Sequence, residues 1–434
     1  MKKIEKLVYT IAIASITGLP LINFLRYCNN LADTGYYKYF RQSYLIYTLL
    51  PILFIIYMYG IIKDKFRITY TDILMYILAT LGIMSTISAV DVKTSIWGEV
   101  IRYEGLLALF YYYLLFLNVK NIKKEKYKEN IIKVLIITSI AQFIYSLLQV
   151  YTNSSMIMHF PYEHMAIGVI GNPNFYGSYM VMLTLITTVL YLIRGQNKYF
   201  WLTIISFVGL CLASSTAPFL GFLLAYIFFL LVFFKKIKIK KFILLTLVLI
   251  GLFFTVDKTV TYVHENIFNN VIYDTYNVKK EVVNSVTNIK NENFGNGRIK
   301  LWLNTLPVAK EYFWFGCGID NFANVYPQSN YLIFDKAHNI YLQMLVTNGI
   351  FALATYCMVC LIIFIKGFKF KNPFTIALFI AFVGYSIQAF ANISVIDVAP
   401  IFYIILGLLY TYVPDKNKEK VKKLEENELN EALI

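Results

Sequence analysis

A helix that crosses a lipid bilayer needs roughly 20 consecutive, mostly apolar residues, and this chain holds about twelve such runs. They centre on residues 7–25, 43–62, 71–90, 104–119, 131–150, 175–193, 199–214, 217–234, 242–256, 339–365, 374–393 and 397–413. Composition agrees with this reading. Of the 434 residues 58% are hydrophobic and only 15% are charged, whereas a soluble domain keeps about a quarter charged to cover its surface. Disorder is excluded by the same numbers, since disordered chains are poor in aromatic and β-branched residues. The expected fold is an all-α integral membrane bundle of about twelve transmembrane helices, with one large outer loop between helices 9 and 10. The first run follows Met1-Lys2-Lys3 like a signal peptide. No small-residue cleavage site follows it, so it reads as a retained first helix.

Orientation comes from lysine and arginine. Connections on one side, together with both ends of the sequence, hold 27 of the 40 basic residues. The other side holds 13, eight of them in one long loop, and long loops count little in setting topology. Both termini are therefore expected in the cytoplasm. The inner segments carry 27 basic and 11 acidic residues and the outer ones 13 and 14, so the net +15 is a record of orientation. It is not a footprint for nucleic acid.

Residues 1–256 are read as helices 1–9, 257–338 as an extracytoplasmic loop, 339–413 as helices 10–12 and 414–434 as a cytoplasmic tail. A connection as long as 257–338 is usually functional. Asn284 to Gly297 holds five asparagines and two glycines and reads as a flexible link. Ile299, Trp302, Leu303 and Leu306 then follow helical spacing, which predicts an amphipathic helix lying on the membrane or on the bundle. Five cysteines make neither a disulfide framework nor a metal site; Cys357 and Cys360 sit in an apolar run as small filler.

Ionisable residues are nearly absent from the middle of the spans. Amides stand there instead: Gln142, Gln149, Gln343, Asn348, Gln388 and Asn392, expected to bond between helices. An ion-coupled transporter loses its usual carrier without a buried carboxylate or histidine. The chemistry-bearing residues lie at the outer helix ends. Gly171-Asn172-Pro173-Asn174 precedes a span, with Asn174 placed to cap it. Gly295-Asn296-Gly297-Arg298 opens the amphipathic helix, where backbone N–H groups and a guanidinium suit a phosphate. Ala337-His338-Asn339 opens the span at 339, where a helix start disfavours imidazolium and keeps a base neutral. Arg102-Tyr103-Glu104-Gly105 lies at an outer mouth, where Arg102 either pairs with Glu99 or Glu104 or meets an anionic ligand.

These segments resemble the O-antigen ligase and O-antigen polymerase superfamily. In the family's order they are Gly171-Asn172-Pro173-Asn174-Phe175, then Asn296-Gly297-Arg298 with Trp302, then Gly316-Cys317-Gly318 with Asn321-Phe322 and Tyr326-Pro327, then Ala337-His338-Asn339 with Tyr341-Leu342-Gln343 and Gly349. The resemblance covers roughly residues 95–410. It implies an inverting glycosyltransferase of the bacterial plasma membrane, working in surface-polysaccharide assembly without a metal ion or other cofactor. The donor would be a glycan on a polyprenyl diphosphate, and the acceptor a hydroxyl of a glycan, lipid or protein, all within membrane lipid. The family's loop arginine maps onto Arg298, which would stabilise the leaving diphosphate, and its histidine onto His338, which would take the acceptor proton. Arg102, Asn172, Asn174, Asn339 and Trp302 are expected to bind substrate beside them. An arginine common in the family near the turn at 214–218 is missing, since that turn reads Ser214-Ser215-Thr216-Ala217-Pro218. Polymerase and ligase chemistry both remain open. A flippase for lipid-linked oligosaccharide is the alternative from another class, though it would need polar groups through the whole membrane.

Overall fold

A computed structural model describes residues 2–31, 41–100, 102–152, 165–259, 298–327 and 334–412. Among the described residues there is no strand. The helices are α1 (Lys2–Leu31), α2 (Gln42–Ile62), α3 (Tyr70–Ile87), α4 (Val92–Trp97), α5 (Leu106–Val119), α6 (Glu125–Thr152), α7 (Pro173–Arg194), α8 (Asn197–Ala213), α9 (Thr216–Phe233), α10 (Ile239–Thr259), α11 (Arg298–Glu311), α12 (Phe322–Val325), α13 (Ile340–Gly367), α14 (Pro373–Gln388) and α15 (Ala399–Tyr410). Nine of the described helices, α1–α3, α6, α7, α9, α10, α13 and α14, are long and apolar enough to cross a membrane. The chain is a multi-pass membrane protein.

The other three expected spans form shorter apolar helices. α5, α8 and α15 have 14, 17 and 12 residues. At ~1.5 Å per residue α15 rises only ~18 Å, against a hydrocarbon core ~30 Å thick. Polar sequence shortens it: the chain between α14 and α15 runs through Asn392, Ser394 and Asp397 before Pro400 opens the helix. The short α4 was not anticipated. The link expected to be flexible over 284–297, with the rest of 260–297, lies outside the described residues.

α7 and α14 form the centre. α7 is buried along nearly its whole length, as expected of a helix apolar on every face. It packs on α8, α9 and α14, while α14 also packs on α9 and α15. Around them α5 lies against α2 and α15, and α13 against α3 and α11. Gly221 and Gly384 bring α9 and α14 close: a methyl on Gly221 would stand 2.8 Å from the Gly384 carbonyl. Small residues at such crossings are the usual device where lipid supplies no hydrophobic drive.

Four of the mid-span amides bond differently from the expectation: Gln343 accepts from the Ala337 amide, Asn348 Oδ1 accepts from the neighbouring Thr347 hydroxyl, and the other two hold irregular backbone. Gln142 and Gln149 of α6 bond the backbone of a buried non-helical stretch before α7. Gln142 Oε1 accepts from Val169 N (3.0 Å), Gln149 Oε1 accepts from Ile167 N (3.3 Å), and Gln149 Nε2 donates to the Gly168 carbonyl (3.1 Å). Irregular backbone at membrane depth survives only where such partners exist. Gln388 and Asn392 do bridge elements, through Ser178 of α7.

α11 also differs in detail. Its buried face is Leu301, Thr305, Val308 and Ala309, whereas Leu303 and Leu306 are half exposed. The buried face packs on Cys317, Phe322, Tyr326 and Val346. α11 thus lies on the bundle by one side and turns Leu303 and Leu306 away from it.

A kink in α13 receives the loop. Gly349 breaks the helix with φ 82°. Freed groups on both sides are taken up by the 313–318 segment: Cys317 N donates to Val346 O (2.9 Å), Gly318 N to Thr347 O (3.2 Å) and Ile350 N to Phe313 O (2.8 Å). A methyl on Gly349 would meet the Trp314 carbonyl at 2.1 Å. Gly349→Ala is therefore expected to destabilise the protein by ~1–3 kcal/mol. Gly251→Ala is its control, since a methyl there meets nothing within 4 Å. Thermal unfolding in detergent should show a lowered Tm for the first and none for the second; equal midpoints would contradict the reading.

Candidate functional site

The starts of α5, α7, α9, α13 and α15 and the end of α14 meet at one end of the bundle, and the sequence-predicted polar residues lie there. At α7 the cap is Asn172, whose Oδ1 accepts from Asn174 N at 2.9 Å. Asn174 had been expected in that role. Pro173 explains the shift: proline suits the first helical position because its missing N–H would have no helical partner anyway. The side chain of Asn174 is thereby released inward. Its Oδ1 accepts from Ser215 Oγ at 2.5 Å and from Arg298 Nη2 at 3.5 Å. Its backbone carbonyl accepts from Ser178 Oγ (2.7 Å) and Asn392 Nδ2 (3.1 Å). Asn174 thus ties α7, α9, α11 and the end of α14 together. Ser215 belongs to the turn that lacks the family's arginine.

His338 sits in the turn before α13, in the left-handed region with φ 48°. That conformation is costly for a side chain of this kind and persists only when its surroundings hold it. Four contacts do so. Trp302 Nε1 of α11 donates to the Ala337 carbonyl (2.9 Å), and Ala337 N donates to Gln343 Oε1 (2.8 Å). Asn339 Oδ1 caps α13 by accepting from Tyr341 N and Leu342 N, both at 3.0 Å. Lys336 Nζ donates to Glu104. Asn172, Asn339 and Trp302 therefore spend polar atoms on backbone.

Arg102 pairs with Asp335, through Nε. Neither Glu99 nor Glu104 is its partner. Its guanidinium lies 5.3 Å from the centroid of Phe175, next to Asn174 in sequence. Among the described residues its Nη groups carry no hydrogen bond. Glu104 is taken instead by Lys336, with Ser394 Oγ (2.6 Å) and Tyr112 OH (3.2 Å) also donating to it. Asp320 lies 3.4 Å from the same ammonium and also accepts from Glu99 N (2.8 Å). Lys336, Glu104 and Asp320 are all buried. Sequence reasoning missed Asp335, Lys336, Asp320 and Ser215. One signal was available: adjacent opposite charges directly before His338, in a chain with few charges, need local partners once buried.

The electrostatics follow from this crowding. Burial lowers the affinity of His338 for a proton, Arg298 lowers it further, Asp335 opposes, and Arg102 and Lys336 add to the lowering; the result is about 4. His338 Nδ1 is buried with no hydrogen-bond partner among the described residues. Burial also pulls Arg298 down from its ordinary value, but a guanidinium remains cationic. Lys336 behaves oppositely, since Asp320 and Glu104 outweigh burial and hold it above the usual lysine range. For Asp335 burial raises the value, but the hydrogen bond and charge of Arg102 outweigh it and hold the carboxyl low. The arrangement places a neutral imidazole within the field of the half-buried Arg298 guanidinium.

Residues 201–357 match the O-antigen ligase family model. The matched stretch contains Ser215, Arg298, Trp302, His338 and Asn339, and Arg102, Asn172 and Asn174 precede it. The match supports the resemblance to O-antigen ligase-like proteins, a family of surface-polysaccharide assembly. No curated protein matches the chain.

An anion bound at Arg298 would cancel part of the charge that disfavours imidazolium, raising the His338 value towards the ordinary ~6.5. Between about 4 and ~6.5 such a rise means proton uptake. Calorimetric titration with inorganic pyrophosphate near pH ~5.5, in buffers of different ionisation enthalpy, should show uptake of a fraction of a proton that His338→Gln abolishes. Binding with no buffer dependence would contradict it.

Proposed function

We propose that this protein transfers a glycan from a polyprenyl diphosphate to an acceptor hydroxyl at the outer face of a bacterial plasma membrane, with both termini cytoplasmic. The observation that carries the reading is the meeting of Arg298, Asn174 and Ser215 beside the turn that holds a neutral His338. The bias of 27 basic residues to one side supports the orientation.

In this reading the acceptor oxygen attacks the anomeric carbon of the donor glycan from the face opposite the diphosphate. The bond from that carbon to the phosphate oxygen breaks, and its electron pair leaves with the diphosphate. Arg298 stabilises the charge that develops there, in place of a metal ion. The Nη groups of Arg102 reach the same anion while Asp335 holds its Nε. His338 receives the acceptor proton as the new bond forms. A single displacement inverts the anomeric centre. Asn174 orients Arg298, and Asn172, Asn339 and Trp302 act through the backbone they fix. The polyprenyl tail lies among the apolar helices. The product is either a lengthened chain or a glycan joined to a lipid or protein.

Arg298→Ala and His338→Ala are each expected to lower transfer by ~10²–10⁴-fold. The measurement is surface glycan on gels from a deletion strain carrying each variant, with membrane levels matched by immunoblot. Normal glycan with both variants would sink the mechanism. Single-repeat products in the deletion strain identify a polymerase, and unattached full-length polymer identifies a ligase.

A further inference from the structure

The turn that carries His338 has a second side. Behind it lies a cavity of about 80 Å³ between α5, α13, α14 and α15. That is several times the ~10–15 Å³ a single water needs, so the space admits a ligand larger than one solvent molecule. Lys336 and Ile340, which flank His338 and Asn339, line it, and so does Gln343, which bonds the Ala337 amide. Arg298, Asn174 and His338 do not line it. The cavity therefore abuts the histidine turn through Lys336 and Ile340 and holds none of the arginine chemistry of the proposed anion site.

Its chemistry differs as well. The charged wall is satisfied internally: Lys336 bonds Glu104, approaches Asp320, and donates to the Ser394 carbonyl at 3.4 Å. With two carboxylates to one ammonium, this wall repels a diphosphate. Other polar groups are unspent. Among the described residues no hydrogen bond is made by the hydroxyls of Tyr385 and Tyr403, by Gln343 Nε2 or by Asn348 Nδ2, and all four residues line the cavity. The remaining wall is aromatic. Tyr112 stacks on Tyr403 with centroids 5.5 Å apart, and Tyr385 on Phe402 at 4.3 Å. Apolar ring faces with a few convergent donors suit a compact, uncharged, hydroxyl-rich ligand. Lipid tails would leave four polar side chains without partners, and an anion would meet Glu104 and Asp320.

We infer that this cavity binds a neutral sugar residue of the acceptor, on the opposite side of the His338 turn from the donor diphosphate. The inference rests on the transfer reaction proposed above and adds where the acceptor is held. Tyr385, Tyr403, Gln343 and Asn348 then select an uncharged ring, and the turn between the two sites carries the base.

The test is saturation-transfer NMR on the full-length protein in lipid nanodiscs, with methyl glycosides of glucose, galactose and N-acetylglucosamine, and methyl glucuronide as the charged comparison. At least one neutral glycoside should bind. Its affinity should fall about fivefold or more in Asn348→Leu and in Tyr385→Phe, as loss of one hydrogen bond implies. Tyr385→Phe keeps the ring, so a weakened signal there reports the hydroxyl and not a collapsed cavity. Methyl glucuronide should bind more weakly than every neutral glycoside that binds. Absence of signal from all the neutral glycosides, binding unchanged in both variants, or equal binding of the glucuronide would overturn the inference. Arg298→Ala should retain sugar binding. Full transfer activity in that variant would count against the proposed reaction, while the binding data judge the cavity separately.

Discussion

Inside a bilayer every backbone N–H and C=O needs a partner within the protein, and the site exists because three non-helical segments meet that demand. The stretch before α7 is held by Gln142 and Gln149. The 313–318 segment docks on the carbonyls and amide freed where Gly349 breaks α13. The His338 turn is held by Trp302, Gln343 and the cap at Asn339. Each of these segments abuts a helix end that carries a candidate group. Polar atoms of Asn172, Asn339 and Trp302 serve first to make irregular backbone tolerable at depth.

Charge supplies the second layer of order. Lys336, Glu104 and Asp320 are buried and meet one another, joining the 98–105 turn, the 316–321 segment and the approach to His338. Arg102 and Asp335 fasten the same segments a second time. Breaking a buried pair by removing one partner costs ~3–5 kcal/mol, because the other charge is left uncompensated. Such pairs therefore favour a single arrangement of the three segments over alternatives that would split them. A histidine at φ 48° needs that kind of support.

Much of this was legible in the sequence, and the failures have physical causes. Apolar runs locate the helices, because bilayer thickness imposes a length that few other constraints mimic. Where α5 and α15 fall short of 104–119 and 397–413, polar residues at their ends, Glu104 and Asp397, read as parts of spans. Asn174 reads as the cap of its helix, yet Asn172 takes that place, although Pro173 between them already marks the first helical position. On α11, Leu303 and Leu306 share spacing with Trp302, yet Leu301, Thr305, Val308 and Ala309 are buried. Both stripes are apolar enough, and only the loop packing against α11 decides between them. The bonds of Arg102 to Asp335 and Lys336 to Glu104 join residues more than two hundred positions apart, which no local pattern encodes.

In the proposed reaction, the distribution of charge accounts for a grip on the diphosphate without an arginine at the 214–218 turn. The outer segments hold 13 basic and 14 acidic residues, so bulk potential there does little to attract one. Locally, Arg102 is paired with Asp335, and Lys336 lies between Glu104 and Asp320. Arg298 differs from both. Among the described residues it has no carboxylate partner, and its recorded contact is the neutral Asn174 Oδ1, which Ser215 also holds. A carboxylate there would have neutralised the guanidinium before a ligand arrived. An amide and a hydroxyl orient it and leave its charge available. Ser215, in that turn, thus contributes by fixing the acceptor atom that Arg298 leans on.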